Sequence, residues 1–183
     1  MNLRIPGPTP CPEDILSEVA RPMINHRGPE FREILLRVTQ GLKQVFQTQA
    51  DLFILTSSGT GAMEAAIVNT LSPNDKVLAV SIGVFGDRFA RIAETYGARV
   101  RTLSAPWGSA VDSEQVREVL INDPEIKAVL IAHNETSTGV TNDLQAIAHI
   151  VKTEGDRLLL VDAVSSMGSL PLPTDDWECD VVV

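Results

Sequence analysis

The chain has 183 residues, 44% of them hydrophobic and 21% charged, with a formal net charge of −9. That balance fits one sizeable soluble domain and speaks against nucleic-acid or anionic-membrane partners, which would select a basic face. Aromatic content of 4% is low for a base-stacking platform, no run approaches membrane-spanning length, and the N-terminus lacks a signal-peptide core.

Cys11 and Cys179 lie far apart, and His26, His133 and His149 are scattered. No metal site is expected, and a reducing cytoplasm is the simpler compartment. Residues 3–12 carry four prolines and read as an extended arm. A short helix then opens at Pro12-Glu13-Asp14 and runs to about residue 20, with acids in its first turn. Residues 1–20 are therefore taken as an arm with a short helix, and 21–183 as part of a large domain. From 30 to 47, Phe31, Ile34, Leu35, Val38, Leu42, Val45 and Phe46 mark a second helix.

Thereafter the pattern alternates. Strands are expected at 52–55, 76–81, 98–103, 126–132, 157–161 and 180–183, with helices at 61–71, 86–96, 113–122 and 143–154. Asp112 with Gln115 and Asn142 with Gln145 read as capping boxes. Strands alternating with helices of about ten residues predict an α/β fold, three-layered around a mainly parallel sheet. Ligands in such sheets collect at the carboxyl ends of the strands.

Those ends carry the polar residues. Thr56-Ser-Ser-Gly-Thr-Gly61 follows the first strand and opens a helix, where free backbone N–H groups make an anion site. A helix dipole alone gives only ~0.3–1 kcal/mol per charge, so a phosphate dianion would also need the hydroxyls of Ser57, Ser58 and Thr60. Phe85 stands between Gly83 and Gly86 after the second strand. His133-Asn-Glu-Thr-Ser-Thr-Gly139 follows the fourth, and Asp162 ends the apolar run of the fifth. A buried carboxylate needs a cation or several donors. A planar cationic heteroaromatic bearing a phosphate satisfies cradle, aromatic face and carboxylate together, and pyridoxal phosphate is such a molecule. Blander alternatives stand beside each: Asp162 as an N-cap or turn residue, Phe85 as ordinary core, Thr136-Ser-Thr138 as a side-chain-bonded turn, and His133 as a satisfied core histidine.

The motifs Ser58-Gly-Thr-Gly-Ala-Met-Glu-Ala-Ala66, Gly83-Val-Phe-Gly-Asp-Arg88, His133-Asn-Glu-Thr-Ser-Thr-Gly-Val140 and Leu159-Leu-Val-Asp-Ala-Val-Ser-Ser166 resemble class V pyridoxal-phosphate aminotransferases, most of all the alanine–glyoxylate and serine–glyoxylate group. The resemblance spans nearly the whole chain. It implies that Ser58, Gly59 and Thr60 bind the cofactor phosphate and that Phe85 stacks on the ring, with Val164 on the opposite face. It places Thr136 near the ring's 3′ oxygen, Asp162 at the pyridine nitrogen as the catalytic carboxylate, and Gly7 near the substrate. It also implies the PLP-transferase large domain, a homodimer, and transamination between a small amino acid and an oxo acid such as glyoxylate.

One departure is large. The family's cofactor-linking lysine follows a strand matching 180–183, and its substrate-carboxylate arginine lies further on. Lys43, Lys76, Lys127 and Lys152 all fall in helices or at strand starts. The chain is therefore expected to be the N-terminal portion of a longer enzyme, inactive as it stands. Alternatives are a lyase or desulfurase of the same fold, a non-catalytic fragment, and a dinucleotide-binding domain. The last fails because Glu64 replaces the third glycine and the next strand ends in Ser81.

Overall fold

The computed structural model describes residue 3 and residues 5–183. It divides into two compact units, Met1–Leu42 and Lys43–Val183. The first unit holds α1, Glu13–Val19, and the beginning of α2, Pro29–Phe46. Pro12 at the N-cap of α1 and Glu13 and Asp14 in its first turn supply the fixed φ and the acids that a helix start favours.

The second unit is built on a five-stranded parallel sheet. Its strands are β1 (Lys76–Ser81), β2 (Arg99–Ser104), β3 (Ile126–Ala132), β6 (Leu158–Asp162) and β7 (Val181–Val182), in the order β2-β1-β3-β6-β7. The helices are α3 (Gly59–Thr70), α4 (Val84–Thr95), α5 (Ser113–Asn122) and α6 (Leu144–Thr153). A short antiparallel pair, β4 (Asn134–Glu135) and β5 (Val140–Thr141), follows β3.

The strand residues are apolar on both faces because both faces are covered. Leu78, Val80, Ile82, Val129, Ile131, Leu159 and Val161 pack against Val116 and Leu120 of α5 and Ile147 and Val151 of α6. The alternate residues Val77, Ala128, Leu130 and Leu160 pack against Met63 and Ile67 of α3 and Phe89 and Ala93 of α4. Helices on both faces give the expected three layers. The chain order reverses between β1 and β3, and sheets of this kind bind ligands outside the carboxyl ends of the strands at such a reversal.

Three local expectations need correction. Residues 52–55 form no strand: Phe53, Ile54 and Leu55 are exposed, Phe53 by 79%. β-propensity describes a surface suited to pairing, and among the described residues no strand lies alongside this run to pair with it. Asn142 caps nothing. It is buried, donating to the Ala132 carbonyl and accepting from Val111 N, while Asp143 caps α6 by accepting from Ala146 N. Asp112 does cap α5, but by accepting from Glu114 N rather than through a box with Gln115.

Arg157 ties α5 and α6 to the sheet. It is buried and donates to the carbonyls of Leu120, Ile126 and Glu154, placing its cation at the carboxyl ends of α5 and α6. Hydrogen bonds to a charged group are each worth ~1.5–3 kcal/mol. Arg157→Met should therefore cost on the order of 3 kcal/mol in urea unfolding with an unchanged m-value. A loss under about 0.5 kcal/mol, the scale of a surface substitution, would contradict this assignment.

Candidate functional site

The site begins where β1 ends. Ile82 and Gly83 lead into α4, whose first turn holds Phe85. Its N–H groups are captured by residues from the β4–β5 hairpin. Glu135 Oε2 accepts from Phe85 N and Gly86 N, both at 3.1 Å. Ser137 donates to Glu135 Oε1 through both its N–H (3.1 Å) and its hydroxyl (2.7 Å). The same hydroxyl accepts from Val84 N at 3.2 Å. Glu135 is 0% exposed. A fully buried carboxylate is tolerable only with such a donor set, and the start of α4 supplies it together with a favourable dipole.

Gly83 permits the approach. A Cβ there would lie 2.6 Å from Ser137 Oγ and 2.7 Å from Glu135 Cγ. Its φ of 163° is ordinary extended backbone, so the requirement is space, not conformation.

The start of α3 differs. Ser58 occupies its N-cap in an extended conformation without a side-chain cap, and its side chain is exposed. Gly59 sits against Val164, whose Cγ2 would be 2.6 Å from a Cβ at Gly59. Ser57 Oγ would be 1.9 Å from a Cβ at Gly61, so this hydroxyl fits over the turn only because Gly61 has no side chain. Of these two helix starts, α4's is filled by Glu135 and Ser137, whereas α3's has no side-chain cap and suits an anion.

Asp162 ends β6, is 5% exposed, and accepts from Val164 N through Oδ1 at 3.0 Å. The turn reading of Asp162 is thus half correct: one oxygen makes an Asx turn and the other has no protein partner among the described residues. Burial pushes this carboxyl above the usual range. The Val164 N–H works against that shift, the Glu135 charge adds to it, and the Arg88 charge reduces it.

Several predicted residues therefore converge. Gly59 meets Val164, and Arg88 links the cradle to the aromatic by donating to Thr60 Oγ1 at 3.1 Å with its guanidinium 4.7 Å from the Phe85 ring centroid. Asp162 feels the charges of both Glu135 and Arg88. Thr136 is half-buried in the hairpin turn beside Glu135. Gly7 lies in the first unit.

His133 is a satisfied core histidine: it is buried, its Nδ1 lies 3.0 Å from Ser166 Oγ, and its ring is edge-on to Trp177. Sequence reasoning passed over Glu135 and Arg88. The signal was present, since an acid three residues beyond an apolar strand end and an arginine one helical turn after Phe85 both stand inside the recognised motifs.

The four lysines are engaged elsewhere. Lys76 pairs with Asp123 and Glu125, Lys127 with Asp75, and Lys152 with Asp180, while Lys43 donates to the Gln49 carbonyl. Cys179 is buried, and its thiol is pushed up to about 12, chiefly by burial and then by Asp180. It is unsuited to act as a thiolate nucleophile.

The family model "Aminotransferase class-V" matches residues 13–183. A Synechococcus protein described as "Soluble hydrogenase, small subunit" is 46% identical over 98% of this chain and 47% of its own length. An L-aspartate–glyoxylate aminotransferase of Paracoccus denitrificans is 42% identical over 98% of this chain and 46% of its own. Among solved structures, an alanine–glyoxylate aminotransferase from Nostoc sp. superposes with a TM-score of 0.92 at 34% identity, covering 97% of this chain and 47% of that one. The chain spans about half the length of the curated relatives it matches.

Two outcomes test this geometry. Glu135→Gln turns one acceptor oxygen into a donor facing N–H groups, so unfolding should show a loss of about 2–3 kcal/mol; an unchanged stability would contradict the clamp. For Asp162 the sign follows from its raised folded-state value. Without a ligand, stability is highest below the ordinary Asp value of about 4, falls as pH rises toward the raised value, and is flat above it. Asp162→Asn keeps the acceptor for Val164 N. It should therefore be more stable than the parent at pH 7 by chemical denaturation, with the gap closing as pH falls toward about 4. Equal stability at both pH values would remove burial as the governing term.

Proposed function

The chain belongs to the class V aminotransferase family, and from that premise we propose that it is the N-terminal part of a pyridoxal-phosphate enzyme moving the amino group of a small amino acid onto an oxo acid such as glyoxylate. The observation that carries this is the three-cornered arrangement on one sheet rim. An uncapped helix start at α3, a half-buried aromatic face after β1 and a buried carboxylate with one free oxygen at the end of β6 are joined by the Arg88–Thr60 bond, the Arg88–Phe85 contact and the Gly59–Val164 approach. The donor set fits the cofactor's three chemical features: dianionic phosphate, flat ring and ring N–H.

Each residue then has a task. Ser58, Gly59 and Thr60 would bind the phosphate through backbone N–H groups and hydroxyls, at a helix start that no acid fills among the described residues. Phe85 would cover one ring face and Val164 the other, keeping water from both. Thr136 would stand near the 3′ oxygen. Asp162 is proposed as the catalytic carboxylate: its free oxygen would accept a hydrogen bond from the ring N–H and keep the proton there. Its raised affinity for protons marks a buried charge waiting for a cationic partner. When bound, pyridoxal phosphate supplies an electron sink for bond cleavage at the substrate Cα.

The covalent anchor lysine and the substrate-carboxylate arginine are proposed to lie beyond Val183 in a longer protein, which acts as a cytoplasmic homodimer. This matches the engagement of all four lysines away from the rim. For a desulfurase the nucleophile would have to be a low-pKa cysteine, and Cys179 is the opposite. The hydrogenase description belongs to the Synechococcus protein; the rim residues favour amino-group chemistry.

A full-length protein carrying this chain should be purified yellow, with visible absorbance that reappears when pyridoxal phosphate is returned after stripping. Asp162→Asn should lower turnover by at least about a hundredfold, on the scale of a lost acid–base group, while leaving the fold intact. A colourless protein that ignores added cofactor would overturn the cofactor, and wild-type turnover in the variant would remove Asp162 from the chemistry.

A further inference from the structure

Arg88 is a half-buried cation whose use the fold does not explain. Lys76, Lys127 and Lys152 all face carboxylates, and so does Arg117, which pairs with Glu114 and Glu154. Arg157 is satisfied by three carbonyls. Arg88 instead places one N–H on Thr60 Oγ1 and lays its guanidinium over the Phe85 ring. Among the described residues no acid lies within ion-pair distance of it. A guanidinium has five N–H donors in a planar fork, so most of its capacity has no partner among the described residues.

Its surroundings indicate what it lacks. Thr60 lies in the first turn of α3, where every protein donor of the cradle is neutral. Asp162, across the site, is close enough to sense the Arg88 charge but is not paired with it. The rim thus presents a cation at its α3 end and an anion at its β6 end, held apart. A ligand that complements both carries an anionic group and a cationic group on one rigid frame.

Resting on the cofactor reading above, we propose that Arg88 is the cationic arm of the phosphate cradle, donating to the phosphate while its guanidinium stays stacked on Phe85. Arginine suits the task because its fork matches phosphate oxygens and its plane tolerates an aromatic face. Lysine could supply only the charge.

The test uses a full-length protein carrying this chain, stripped of cofactor and titrated calorimetrically with pyridoxamine 5′-phosphate and with pyridoxamine. The parent should prefer the phosphorylated ligand. R88M should weaken binding of the phosphorylated ligand by about 10- to 100-fold, the scale of one charge-assisted hydrogen bond. Pyridoxamine binding should change by less than about twofold, and R88K should recover part of the lost preference. Should R88M fail to fold, the neutral R88Q takes its place. Equal weakening of both ligands would mean that Arg88 acts only through the Phe85 ring and would overturn the proposal, as would unchanged or tighter binding of the phosphorylated ligand. If the parent binds neither ligand, the cofactor reading itself fails and takes this proposal with it. If the parent binds and R88M binds equally well, only the proposal falls.

Discussion

The buried carboxylate of Glu135 fixes the rim. It arrives from the hairpin after β3 and, with Ser137, takes the first three N–H groups of α4. That single set of bonds decides three things. It sets the direction in which α4 leaves β1, and so where Phe85 stands. It fills one of the two helix starts flanking the site, leaving the α3 start for an external anion. It also sets Glu135 near Asp162, whose carboxyl is made harder to ionise chiefly by burial, with a smaller contribution of the same sign from Glu135.

The glycines around this centre act by leaving room. Gly83 admits Glu135 and Ser137, Gly86 lies against Ser81, and Gly59 lets Val164 close on the cradle. A side chain at any of the three would push apart two loops that must meet. The rim is thus assembled from backbone approaching side chain, and its charges stay separated: Glu135 neutralised by α4, Arg88 toward α3, Asp162 at the end of β6. Separation is what allows one small molecule to bridge them.

Much of this was legible in the sequence, for physical reasons that differ by element. β1 and β3 were placed to the residue because strands buried on both faces are continuous apolar runs, and α5 because an acidic N-cap precedes an amphipathic stretch. Residues 52–55 had the same apolar signature and misled, since apolarity marks a surface fit for pairing whether or not a neighbour is at hand. Asn142 looked like a cap, but a side chain able both to donate and to accept was drawn into the core by Ala132 and Val111. Phe85 and Asp162 could be found at strand ends. Glu135 and Arg88 could not be assigned work, because their partners are backbone N–H groups and a hydroxyl 49 and 28 residues away in sequence. A linear reading cannot bring those together.

The central claim is that three separate chain segments, the turn into α3 and the ends of β1 and β6, grip a single phosphorylated, cationic ring. Crystals of a full-length protein carrying this chain, grown with pyridoxamine 5′-phosphate, would test it most directly. The account requires the phosphate at the Gly59–Thr60 turn, the ring between Phe85 and Val164, and the ring nitrogen on the free oxygen of Asp162. A phosphate seated at another helix start, or a ring nitrogen turned away from Asp162, would contradict it.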